Sequence, residues 1–97
     1  RDAMVPAPLP EPLPPAFLLE IDRRGEMITY TEQGRVTTVI CTFGDPPLLL
    51  ARTLGDWWYP AEGRSISIPP KERDAILRRI LERCRRRHGL SGLELAD

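Results

Sequence analysis

Only one stretch of this chain has the periodicity of a helix, and that restricts the fold more than any other feature. Ile76, Ile80 and Cys84 recur four apart with Leu77 and Leu81 beside them, which makes one apolar stripe. Pro69-Pro70 suits a helix start, where a missing N–H costs little. Glu72 and Asp74 fall in the first turn, where the helix dipole favours anions. Arg85, Arg86, Arg87 and His88 fall in the last turn, where it favours cations, and Gly89 is placed to cap the end. A lone amphipathic helix needs an apolar surface to cover, and the remaining sequence can supply that only as a sheet.

The segments before the helix have the matching period of two. Phe17, Leu19 and Ile21 alternate with Leu18, Glu20 and Asp22, as in a half-buried strand. Arg23 to Glu26 reads as a turn, and Met27 to Thr31 as a second strand with Ile28 and Tyr30 on one face. Glu32-Gln33-Gly34 reads as the next turn and Arg35 to Phe43, rich in β-branched residues, as a third strand. Two short glycine-containing connections in succession predict an antiparallel meander. Gly44 to Pro47 ends it, and Leu48 to Leu54 follows as a fourth strand or a short apolar segment. Gly55 to Arg64 is expected as a loop, Ser65 to Ile68 as an extended piece, and Leu93-Glu94-Leu95 as a last short strand. The expected class is α+β: an antiparallel sheet of four to six strands, a meander, packed against one long C-terminal helix.

Residues 16–97 are expected to form a single binding domain. Residues 5–15 hold six prolines in eleven positions and predict an extended polyproline arm over 1–15, outside the core. Pro12 to Pro15 could serve an aromatic-grooved adaptor domain, but the neighbouring charge is Glu11 and not the usual cation. A chain of 97 residues buries only about 60–65% of its unfolded surface, so no deep substrate cavity is expected.

The net charge is zero but unevenly spread, with acidic excess before residue 65 and basic excess after it. That asymmetry can orient a partner, yet it is slight for a dedicated nucleic-acid binder. Cys41 and Cys84 form no CxxC pair and sit in apolar patterns, which predicts two reduced core thiols and suits the cytoplasm. No apolar run approaches the ~18 residues of a membrane span. No leader pattern opens the chain, although it begins at Arg1 and an earlier signal could have been removed.

Catalytic chemistry finds little support. Hydrolytic triads, glycine-rich phosphate loops and zinc-ligand spacings are absent, so no catalytic, cofactor or metal residue is assigned. His88, the single histidine, sits among arginines that disfavour its charging. Glu20 and Asp22 share a strand face with nothing apolar enough nearby to split their pKa values. The chain is therefore expected to be no enzyme and to act by binding another macromolecule. Arg78, Arg79, Arg83, Arg85, Arg86 and Arg87 give the strongest nucleic-acid signal, without interleaved aromatics. A nucleic-acid-binding or regulatory module built on that helix is the alternative reading.

Trp57-Trp58-Tyr59-Pro60 is the most informative cluster. Neighbours on an extended segment point to opposite sides, so the three rings cannot all enter one small core. At least one is expected at the surface, where aromatics are enriched at interface hot spots.

From this cluster onward the chain resembles the bacterial toxin-immunity family called immunity protein 74. The resemblance is carried by Trp57-Trp58-Tyr59-Pro60, Ser65-Ile66-Ser67-Ile68, Glu72-Arg73-Asp74-Ala75-Ile76 with Ile80, Gly89, and Gly92-Leu93-Glu94-Leu95. Upstream, Ile28 to Glu32 followed by Gly34-Arg35 also fits, and the similarity spans roughly residues 17–95. It implies an inhibitor that binds a cognate secreted toxin by direct protein–protein contact and needs neither small-molecule substrate nor membrane. The expected partner-binding residues are Asp56, Trp57, Trp58, Tyr59, Glu62 and Arg64. Were the toxin a nuclease, Asp56 and Glu62 could occupy its phosphate-binding cations. An exposed edge strand would also allow a homodimer.

Overall fold

A computed structural model describes residues 16–97. The proline-rich arm expected over 1–15 lies outside the described residues. The remainder folds as α+β: seven strands in one mixed sheet, with a single long helix packed on one face.

The strands β1 (Leu18–Asp22), β2 (Met27–Glu32) and β3 (Arg35–Thr42) form the expected meander. The β1–β2 turn is closed by the Asp22 carboxylate, which accepts the Gly25 amide at 3.0 Å. The β2–β3 connection is only two residues long. Gln33 and Gly34 both have positive φ, 49° and 76°, the mirror-image turn that matches the natural twist of a hairpin. Glu32, expected in that turn, is thereby the last residue of β2 and pairs with Arg35.

β3 is the long central strand, and its free side is shared by two neighbours. One end pairs with β4 (Leu48–Leu50), which runs into a single 3-10 turn at Ala51–Thr53. The other end meets β5 (Trp57–Tyr59) at one position, Val36 opposite Trp58. β5 forms a hairpin with β6 (Arg64–Ile66), so the segment expected as a loop is two short strands and a turn. After the helix α1 (Pro70–Arg87), β7 (Glu94–Ala96) returns beside β4 in parallel. The sheet therefore holds one more strand than the upper expectation and one parallel pair that a meander does not have.

Register determines what each face carries. Ile28, Tyr30, Val39, Cys41 and Leu49 point toward α1 and meet Ile76, Leu77, Ile80 and Cys84 in one core. Both cysteines are free and buried. Pro70 opens α1, and Gly89 closes it with φ 69° while the Leu90 amide reaches back to the Cys84 carbonyl. No helix among the described residues is long and apolar enough to cross a membrane.

Candidate functional site

One helix can cover one side of a sheet, and α1 leaves the other side bare. On that outer face lie Leu18, Met27, Val36, Ile40, Leu50 and Trp58, as their strand pairings require. Leu18 is 70% exposed, Trp58 47%, and Met27 and Ile40 39% each. Thr29, Thr31 and Thr38 share the face between them. The result is a mostly apolar sheet surface with hydroxyl groups and no covering element among the described residues. Ile66 and Leu95 are also exposed, but by register they belong to the opposite face, at its two far edges.

The hairpin that carries Trp58 is held from behind by a charged network. Trp57 is 1% exposed, and its indole N–H donates to Glu72 Oε1 at 3.0 Å. The Arg35 guanidinium stacks 4.1 Å from the Trp57 ring centroid. It bonds Glu32 at 2.7 Å and Glu72 at 3.0 Å, and donates to the Tyr59 hydroxyl at 3.3 Å. Glu32 is itself buried, accepting the Tyr30 hydroxyl and the Arg79 guanidinium, the latter at 3.2 Å. Two strands and the helix thus meet at the Glu32 carboxylate, and β5 joins the network through Arg35 and Glu72.

The network sets the titration of its members. Burial works to raise the Glu32 carboxyl, but the hydrogen bonds from Tyr30 and Arg35 and the charges of Arg35 and Arg79 outweigh it, leaving Glu32 below its ordinary value. Burial pushes the Tyr30 phenol up to about 12, with its bond to Glu32 adding to the rise and Arg79 opposing it. Arg35 is raised: burial opposes its charge, and Glu32, Tyr59 and Glu72 more than offset that. Tyr30 and Glu32 are closed in beneath the helix, so the cluster's role is to fix the hairpin in place.

The six residues expected to contact a partner separate by exposure. Trp58 faces outward and open, and Asp56, Glu62 and Arg64 are exposed around the hairpin. Arg64 pairs with Glu62 at 2.9 Å and lies 5.9 Å from the Tyr59 ring centroid. Tyr59 is half-buried. Trp57 is a correction to the expected set: closed off in the core, it has no surface to offer and serves as the anchor. Leu18, Met27, Val36 and Ile40 also face outward and were not among the expected residues. Their signal was present, since they are large apolar residues at the positions that alternate with the core set.

Arginines of the helix make several contacts within the domain, while Arg78, Arg85, Arg86 and Arg87 are exposed. Arg83 stacks 3.9 Å from the Phe17 ring centroid and donates to the Phe17 carbonyl. Arg79 reaches Tyr30 and Glu32, Arg85 reaches the Leu93 carbonyl at 2.9 Å, and Arg86 pairs with Glu82 at 3.1 Å. No group of three metal-ligating side chains occurs among the described residues. Comparison of the chain with known protein families, curated proteins and solved structures gave no match.

Proposed function

We propose that this domain is a binding protein of the immunity type, which neutralises a cognate secreted toxin by docking it on the outer sheet face and the β5–β6 hairpin. The observation that carries this reading is the bare face itself. A chain this small exposes several large apolar side chains on one sheet face, interspersed with threonines and with an indole at one end, while a partly buried ion network holds that end rigid. Exposed apolar patches of this kind mark interaction sites. A rigid aromatic anchor is what a tight protein interface needs, since little ordering entropy is then lost on binding. The segments from Trp57 to Leu95 that resemble the immunity family include this hairpin and the helix that anchors it.

The test is binding to the protein encoded beside this one, together with protection of cells that express it. The wild-type domain is expected to bind at roughly nanomolar strength. Trp58→Ala is expected to weaken binding by about 2 kcal/mol or more, the range of an interface hot spot, without moving the thermal midpoint. A neighbour that is not toxic, or one that binds the variant as well as the wild type, ends this reading.

A further inference from the structure

The bare face has a charge pattern that says which kind of surface fits it. Following strand parity, the charged strand residues that point outward are Glu20 and Asp22 on β1 and Glu94 on β7. All three are exposed, and they lie at the two lateral margins of the sheet, since β1 and β7 end the strand order. No lysine or arginine faces outward from any described strand. Outside the strands, Asp56 is exposed two residues before Trp58, and Arg24 and Arg52 are exposed in the turns after β1 and β4. Apolar and threonine residues fill the middle. Resting on the reading of this face as a docking site, we infer that its occupant is a protein surface with an apolar centre and a rim of lysine and arginine, and not a second copy of this chain.

Self-docking fails on geometry and charge together. Two copies related by a two-fold axis along the strands would bring β1 of one over β7 of the other, opposing Glu20 and Asp22 to Glu94. A two-fold axis across the strands would bring β1 over β1, opposing Glu20 and Asp22 to themselves. Either arrangement sets carboxylate against carboxylate, which disfavours the pairing. A head-to-tail arrangement would offer the cationic helix instead, but after Pro70 every exposed residue of α1 is charged, and none of its Ile or Leu side chains is exposed to fill the centre of the face. A separate cationic protein meets both requirements, and its encounter is steered by the charge.

The probe is a version of this domain with the charge reversed at both lateral margins, Glu20→Lys with Glu94→Lys. Asp22 is left in place because its carboxylate holds the β1–β2 turn. Both substituted positions are exposed, and circular dichroism checks that the fold survives. Such a variant presents an apolar centre of known shape with a lysine at each lateral margin, one on β1 and one on β7. Sedimentation velocity and light scattering should find each protein monomeric alone and a one-to-one complex on mixing at low salt. That complex should weaken by about tenfold or more between 20 mM and 0.3 M salt and disappear when Ile40→Lys is placed in either partner. Absence of a mixed complex overturns the inference. So does self-association of the wild type that Ile40→Lys abolishes. Should the mixed pair form while the neighbouring gene product fails to bind, the toxin reading falls and the rim inference stands. If the neighbour binds tightly with no salt dependence, the reverse holds.

Discussion

Replacing Glu32 by alanine should unfold this domain more readily than any surface change. The carboxylate is 4% exposed and accepts from three groups: the Tyr30 hydroxyl, Arg79 at 3.2 Å and Arg35 at 2.7 Å. Removing one partner of a buried charge pair costs about 3–5 kcal/mol, because the remaining charge loses its compensation. Here the loss is partly relieved. Arg35 keeps Glu72 at 3.0 Å, and Arg35 and Arg79 are 21% and 26% exposed, so both can recruit water. The expected cost is therefore about 2–4 kcal/mol, after that discount. In a domain of this length that corresponds to a fall in thermal midpoint of roughly 10–20 °C. Urea unfolding followed by tryptophan fluorescence and far-ultraviolet dichroism measures it. Arg79→Met, made alone and in the Glu32→Ala background, completes a double-mutant cycle with an expected coupling of about 1–3 kcal/mol. A cost under about 1 kcal/mol, or independent effects of the two substitutions, would show that the network does not hold the hairpin.

The same network predicts a pH dependence at both extremes. Glu32 titrates below its ordinary value when folded, so its contribution is complete above the usual carboxylate range and is lost as pH falls through the folded value. Tyr30 titrates near 12 and not 10, so its contribution is complete below pH 10 and is lost between about 10 and 12. Tyr30→Phe should flatten the alkaline limb of a stability–pH curve, and Glu32→Gln the acid limb. Burial pushes the Cys84 thiol up to about 11 and raises Cys41, so a thiol reagent at neutral pH should label the native protein far more slowly than the urea-unfolded chain. Equal rates would contradict their burial. Gly63 turns the β5–β6 hairpin with φ 65° and has open space where a Cβ would sit. Gly63→Ala should therefore cost about 1 kcal/mol through backbone strain alone, read by thermal denaturation.

The helix and the first three strands were legible because their periods are long enough to repeat. Ile76, Ile80 and Cys84 repeat over two turns, and Phe17, Leu19 and Ile21 alternate over a whole strand. Trp57 to Tyr59 has only three residues, too few for a period to show, and with Pro60 and Gly63 nearby it reads as a loop. Glu32 reads as a turn residue because glutamate beside Gln33-Gly34 looks like punctuation, but Gln33 and Gly34 make the turn unaided. Its partner Arg79 lies 47 residues away, and local pattern holds no record of such a pair. The parallel contact of β4 with β7 depends likewise on where α1 delivers the chain. The bare face was readable in part. Met27 and Ile40 sit at outward parity, and large apolar residues there signal a second covered surface, but the alternation draws attention to the core set instead.

The hairpin touches the sheet at a single paired position, and its residues alternate in duty. Trp57 looks inward to Arg35 and Glu72, and Trp58 looks outward and is about half exposed. Holding and reading are thus written in separate letters of one short word. On the proposed reading of this face, a lineage that must follow a changing adversary gains from such a script. It can respell the outward letters generation after generation, and the inward ones still bring the same word to the same place.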